Sequence, residues 1–179
     1  MKFLPKDSFC YRTPMTIEEA TAKLEAHLEP QKMVRMSRTG NKAFEGELKG
    51  GRFNMWRILN YKNSFAPQIN GRIEPDVSGS RIDVHLFIHP LGLALMGIII
   101  GMALLAGLVM LLVIPSEGGF NWRGLLPIAA IPFATGMMLF GFNTERDKTI
   151  VILSEIFGSR PEKLDADRNN FDKLAKTSQ

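Results

Sequence analysis

The chain has 179 residues, of which 22 are lysine or arginine and 18 are aspartate or glutamate, giving a formal net charge of +4. Its single cysteine, Cys10, excludes an intrachain disulfide and a metal site built on several cysteines. Apolar residues are concentrated in the middle of the chain, between two polar flanks, and no motif indicates a cofactor or a metal. Before residue 16 no apolar stretch is long enough for a cleavable signal peptide, so the central apolar segment is expected to direct insertion.

An amphipathic helix is predicted over residues 16–29. Thr16 and Glu19 have the spacing of a capping box, in which each side chain satisfies a free amide at the helix start. Apolar residues then recur every three or four positions until Pro30 ends the helix; they are Ile17, Ala20, Leu24 and Leu28. This pattern indicates a helix that packs on a core with one face.

Four strands are predicted after this helix, at about 42–48, 52–61, 68–74 and 80–88, because the apolar period changes to two. Gly50 and Gly51 suit the tight turn between the first two strands. Short connections favour an antiparallel sheet, with the helix covering its apolar face. The predicted fold class is therefore α+β: a small antiparallel four-stranded sheet with a packing helix, joined to a transmembrane α-helical hairpin and a C-terminal helix. Residues 1–90 are the cytoplasmic module of this scheme.

The densest local motif is Tyr61-Lys62-Asn63-Ser64-Phe65-Ala66-Pro67, which Gly71 follows. Short polar side chains bond nearby backbone amides and proline restricts φ, so the motif predicts a rigid turn; ligand binding by Asn63 and Ser64 is the alternative. With the strand and the apolar segments after it, the motif resembles a group of small uncharacterised bacterial membrane proteins with two membrane helices. That resemblance implies this architecture and implies no activity, cofactor or catalytic residue.

Two apolar segments, 91–114 and 125–142, contain 24 and 18 residues without a charge. A helix needs roughly 20 residues to cross a bilayer, so both are predicted to span it, as a hairpin over residues 91–142. The flanks outside the hairpin carry more basic residues than its loop does, which favours cytoplasmic N and C termini. The chain is therefore predicted to be a multi-pass protein of a bacterial inner membrane, in contact with the lipid bilayer.

Both apolar segments contain small residues at a four-residue spacing, which lets another helix approach closely; they are Gly97, Gly101, Gly107, Ala130 and Ala134. Two uses are open: packing between the two helices of one hairpin, and association of several chains into a homo-oligomer. Neither segment contains an ionisable residue, which argues against a proton relay or an ion-coupled transporter.

Residues 143–179 are predicted to form a C-terminal cytoplasmic helix and tail. Thr144 followed by acidic residues is a typical helix start. The β-branched residues between 149 and 152 would also suit a strand, whereas length and capping favour the helix.

Between residues 31 and 62 there are eight basic residues and two acidic ones, a balance that would attract anionic headgroups or a phosphate-bearing ligand. The candidate contact residues are Arg52, Arg57, Arg72 and Arg81, together with Asn63 and Ser64. A solvated face helped by the positive-inside bias explains the charge equally well. Binding of nucleic acid is disfavoured, because the aromatic residues Phe53 and Trp56 suit core or interface positions as well as a stacking platform.

No catalytic residue is assigned. Ser64, Asp83 and His85 have the residue types of a hydrolase, but no Gly-x-Ser-x-Gly turn is present. His85 and His89 would lie about 13 Å apart on a strand, too far to share a metal ion. The leading hypothesis is a non-enzymatic module that binds a partner protein or anionic lipid at the cytoplasmic membrane face. The alternatives are a ligand-gated oligomeric membrane effector and a membrane hydrolase using Ser64 and His85.

Overall fold

The computed structural model of the chain describes residues 5–30, 42–59, 65–112 and 122–164. Within these residues the chain forms seven strands, three α-helices and one 3-10 helix. In chain order they are β1 Lys6–Thr13, α1 Ile17–Ala26, β2 Leu28–Glu29, β3 Phe44–Lys49, β4 Arg52–Arg57, β5 Pro67–Asp76, β6 Gly79–Ile88, α2 Pro90–Leu112, the 3-10 helix Trp122–Gly124, α3 Leu125–Phe157 and β7 Glu162–Lys163.

All seven strands belong to one mixed sheet with the order β2-β3-β4-β5-β6-β1-β7. The α+β class is confirmed, but the prediction of a small antiparallel four-stranded sheet is wrong in both size and type. Strands β3 to β6 form the antiparallel meander that local alternation indicates, while β1 adds beside β6 and the short β2 pairs parallel to β3. The extra pairings join segments that are distant in sequence, so no local period reveals them.

Glycines shape the meander at two places. Gly50 and Gly51 have φ of +55° and +74°, the left-handed conformation that a tight turn between β3 and β4 requires. Gly71 of β5 lies under the ring of Phe53, and a side chain at this position would strike both that ring and the backbone oxygen of Asp83. The ring therefore takes the space above the neighbouring strand that a side chain would otherwise fill.

Helix α1 begins with the capping box that the sequence predicts. The Glu19 amide donates to Thr16 Oγ1 at 3.2 Å, and the Thr16 amide donates to Glu19 Oε2 at 2.9 Å. The helix ends at Ala26, earlier than expected, because Leu28 and Glu29 leave it to pair with Phe44 and Glu45 as β2.

One side of the sheet, which we call the core face, carries the hydrophobic core. Apolar side chains alternate along the strands toward this face and meet α1 and α3 there. The largest fully buried ones from the sheet are Tyr11, Phe44, Met55, Ile69, Ile82, Leu86 and Ile88, and those from the helices are Leu24, Phe142, Leu153 and Phe157.

The C-terminal helix, predicted as an element separate from the second apolar helix, is instead its continuation. Helix α3 runs without a break for 33 residues, and residues 149–153 are helical. Thr144 starts no new helix because no glycine or proline interrupts residues 142–157, so the preceding turn already supplies its hydrogen-bond partners. Gly158, at φ +61°, ends the helix in the left-handed conformation.

Helices α2 and α3 are both long and apolar enough to cross a membrane. In each, only 11% of the apolar stretch is buried within the chain, so neither resembles the core helix of a soluble protein. Large apolar side chains such as Leu91, Phe133 and Phe140 are more than two-thirds exposed, at 73%, 71% and 74%. Such extended apolar exposure marks a surface that contacts something other than water.

The two helices approach each other closely at Gly107. A Cβ added there would lie 2.7 Å from Ile128 Cγ1 and 2.8 Å from the Gly124 carbonyl oxygen. Gly97 and Gly101, by contrast, face open space within the described structure, with no atom within 4 Å of such a Cβ. Of the predicted small residues on α3, Ala134 packs partly buried against the core and Ala130 is exposed.

Candidate functional site

The sheet has a second face that none of the described helices covers, and we call it the open face. Residues two apart on a strand share a face, so the partners in register form rows across the sheet. The aromatic row is Lys6, Phe87, Gln68, Trp56 and Glu45; the amide row is Ser8, His85, Asn70, Asn54 and Glu47; the arginine row is Cys10, Asp83, Arg72, Arg52 and Lys49; the outer row is Arg12, Arg81 and Glu74.

The four rows lie at increasing distance from the apolar helices. Strand β6 leads through His89 directly into α2, and Phe87 is three residues before Pro90 whereas Arg81 is nine before it. At a rise of about 3.3 Å per residue, the aromatic row is about 10 Å from the start of α2 and the outer row about 30 Å. Contacts of α3 give the same order, since Arg146 reaches Asp7 and Phe157 reaches Thr13. The sheet therefore meets the apolar parts of α2 and α3 by one end and extends away from them along the C-terminal part of α3.

The four predicted arginines do not share one surface. Arg52, Arg72 and Arg81 lie on the open face, and Arg57 lies on the core face. Arg81 Nε donates to Asp83 Oδ1 at 2.9 Å, and Arg72 Nε is 3.0 Å from Glu74 Oε1 and 3.9 Å from Asp83 Oδ2. Arg52 is exposed and forms no ion pair within the described residues. The cationic character of the open face is thus largely neutralised around the buried Asp83.

The amide row presents neutral donors and acceptors at the centre of the face. Ser8 Oγ and His85 Nδ1 are 2.9 Å apart, and Gln68 Nε2 donates to Asn54 Oδ1 at 2.8 Å. Asn70 Oδ1 is buried and has no hydrogen-bond partner in the described part of the chain. Burial lowers the pKa of His85 from 6.5, so its imidazole is neutral at pH 7. Amide and hydroxyl groups of a partner would complement this row.

The residues of the open face that the structure describes do not form the arrangement of a serine hydrolase. Ser8 and His85 form a pair, but Asp83, which would have to orient the imidazole, is bonded to Arg81 instead. Burial and then Asp83 raise the pKa of the Cys10 thiol, which keeps it protonated and unreactive at neutral pH. Among the residues that the structure describes, no group of three metal-ligating side chains converges.

On the core face, Arg57 belongs to what we call the junction cluster, formed by Arg57, Glu145, Lys148, Arg146 and Asp7. Glu145 is fully buried, Arg57 Nη1 donates to its Oε2, and Lys148 Nζ donates to its Oε1 at 3.0 Å. Beside this pair, Arg146 Nη1 donates to Asp7 Oδ2 at 3.3 Å. The cluster ties α3 to β4 and β1 just beyond the apolar part of the helix. In the sequence, the charged residues that follow the second apolar segment indicate a helix start. They do not indicate that one of them forms an internal ion pair.

Other predicted residues lie outside the described ranges. These are Asn63 and Ser64, with their neighbours Tyr61 and Lys62, and the basic residues Lys32, Arg35 and Arg38. Phe65, the next residue of the motif, packs partly buried against the hydrophobic core.

No protein-family model, no curated protein and no solved structure matches this chain. The described part of the chain is therefore classified by its fold: an α+β structure with a seven-stranded sheet and two long apolar helices.

Proposed function

We propose that this chain is a membrane-anchored, non-enzymatic binding protein of a bacterial inner membrane, which presents the open face of its sheet to a partner protein in the cytoplasm. The length and exposure of α2 and α3 support the anchor, because apolar surface of this extent is stable in hydrocarbon. The excess of basic residues on the flanks over the hairpin loop supports cytoplasmic termini.

One observation carries the binding role: a polar face five strands wide lies uncovered in the described structure, on the side of the sheet opposite all of its core. The face measures about 20 Å by 20 Å from strand spacing and rise. Its amide, arginine and outer rows combine arginine, which is enriched at protein interfaces, with carboxylates and amides that can meet a complementary surface.

The distance of the arginine row from the start of α2 favours a protein over anionic lipid as the molecule that binds these arginines. Arg72 and Arg52 lie level with Asp83, seven residues before Pro90, or about 23 Å from the start of α2 along the strand. The headgroup layer is only about 5–8 Å thick on each side of the hydrocarbon. A soluble partner can reach these arginines, whereas headgroups in a flat bilayer cannot.

The test uses a photo-crosslinking amino acid in the full-length protein in cells. Placed at Asn54 on the open face, it should yield one discrete protein adduct, and Arg52→Glu in the same chain should lower the adduct yield several-fold. The matched control is the crosslinker at Lys23, which is exposed on α1 on the other side of the sheet. Equal adducts from both positions, or none from Asn54 in a protein that remains in the membrane fraction after carbonate extraction, would contradict the proposal.

A ligand-gated oligomeric effector is the second candidate, and the outward position of Gly97 and Gly101 favours it. These glycines let a second helix approach closely, and the hairpin itself leaves that space open. In this version α3 passes a change at the sheet to the hairpin through the junction cluster.

A further inference from the structure

We propose that the aromatic row seats the end of the sheet in the lipid headgroup layer, with Trp56 and Phe87 as the contact residues. This surface is separate from the rows that face a partner protein, and it requires only that α2 and α3 span a bilayer. The sheet would then bind the membrane surface directly as well as being tethered to it.

The position of the row follows from two independent paths. Along β6, Phe87 is three residues before Pro90, which places it at most about 10 Å from the start of α2, at the outer margin of a headgroup layer of about 5–8 Å. Along α3, Glu145 is three residues after Phe142, about 4.5 Å past the end of the apolar run. Glu145 bonds Arg57, the residue next to Trp56, so both paths place Trp56 close to the hydrocarbon boundary.

The row also has the chemistry of a membrane interface. Among the four rows of the open face, phenylalanine and tryptophan occur in this one alone, and both side chains are half-buried. Tryptophan is enriched at headgroup level because its ring is apolar and its N–H is polar. Both aromatic side chains of the open face thus lie in the row nearest to the start of α2.

Charge in the row is compatible with headgroups. Lys6, at the β1 end, is exposed and can meet an anionic headgroup. Glu45, at the β3 end, is buried and engaged in an interaction of its own, so its carboxylate is not presented to the bilayer. Gln68, between the two aromatic side chains, is neutral and bonded to Asn54.

The test is quenching of tryptophan fluorescence in reconstituted vesicles. The chain has two tryptophans, so Trp122→Phe leaves Trp56 as the reporter. Vesicles contain phosphatidylcholine with a quarter phosphatidylglycerol, and part of the lipid carries a nitroxide either at headgroup depth or near the chain end. We expect headgroup-level nitroxide to quench Trp56 about twice as strongly as deep nitroxide, with weak quenching by acrylamide.

Two control variants separate the outcomes. Trp56→Phe leaves Trp122, in the 3-10 helix that precedes α3, as a report on insertion of the hairpin. Trp56→Phe/Trp122→Phe/Arg81→Trp places the reporter on the outer row, where acrylamide alone should quench it. Quenching of Trp56 by acrylamide alone, with Trp122 quenched by lipid, would overturn the headgroup contact and leave the membrane anchor intact. Absence of lipid quenching at both Trp56 and Trp122 would overturn the anchor, and the headgroup contact with it.

Discussion

At the scale of single residues, Glu145 combines complete burial with a charge. Removing a carboxylate from water is costly, and Arg57 and Lys148 offset that cost by holding its two oxygens. Removing Arg57 alone takes away part of the compensation for the buried charge of Glu145. Replacing both Arg57 and Glu145 with apolar side chains avoids this penalty.

Arg57→Met should therefore lower the free energy of unfolding by about 3 kcal/mol, whereas Arg57→Met/Glu145→Leu should unfold close to the wild type. Chemical denaturation in mild detergent, followed by circular dichroism, measures both. The control is Lys49→Met, since the Lys49–Glu47 pair is 80% and 62% exposed and its loss should cost less than about 1 kcal/mol. Equal effects of Arg57→Met and Lys49→Met would show that the junction cluster does not hold α3 to the sheet.

Burial of Tyr11 on the core face makes the free energy of unfolding depend on pH in the alkaline range. Burial raises the pKa of Tyr11 from 10.0 to about 12, so the folded chain keeps the phenolic proton longer than the unfolded chain does. The free energy of unfolding should therefore fall between pH 10 and about 12, by up to about 1.4 kcal/mol per pH unit. With Tyr61→Phe, absorbance at 295 nm should give a midpoint near the raised value, and a midpoint at the ordinary value would refute burial of the ring. Tyr11→Phe should remove the dependence.

At the scale of elements, the sequence predicts those features that are determined by residues close together in the chain. The capping box at Thr16, the glycine turn before β4 and the two apolar helices follow from spacing and composition alone. Strand β1 also had a signal, since Phe9, Tyr11 and Thr13 alternate with Cys10 and Arg12, but its register partners in β6 lie 67 to 81 residues away. The two-residue strands β2 and β7 are too short to show a period.

The candidate site was predictable only where side chains share one strand. Alternation along β6 places Asp83 beside His85, whereas the ion pairs of Asp83 with Arg72 depend on the register between β5 and β6. Arg57 could be recognised as a basic residue but not as an internal one, because its carboxylate partner is 88 residues away on α3. Long-range packing decides such positions, and no single-strand pattern encodes it.

Two glycines of α2 differ in their contact with α3: Gly107 packs against it, and Gly97 faces open space. Gly107→Leu should force the helices apart at Ile128 and lower the free energy of unfolding in detergent by about 1–3 kcal/mol. Gly97→Leu is the matched control and should leave thermal unfolding of the monomer unchanged, because its side chain would point into open space. Native mass spectrometry of the same variants tests association: if Gly97→Leu converts a discrete oligomer to monomer, the ligand-gated effector gains support over a solitary anchor.

At the scale of the whole molecule, the 33 residues of α3 make one continuous helix about 50 Å long, with Pro132 inside it, that belongs both to the apolar hairpin and to the core of the sheet. The junction cluster and the hydrogen bonds of Tyr11 and Thr13 attach the sheet to the polar part of this rod. No described loop lies between the two parts that could absorb a rotation of one against the other.

A helix pair that is longer than the local hydrocarbon responds by tilting, and the tilt differs between thin and thick bilayers. Because α3 has no break, a tilt of the hairpin is also a tilt of the sheet. A change of about 10° displaces Phe157, roughly 22 Å along the axis from Phe142, by about 4 Å. If the hairpin spans a bilayer, the bilayer thickness would thus set the angle between the open face and the membrane plane.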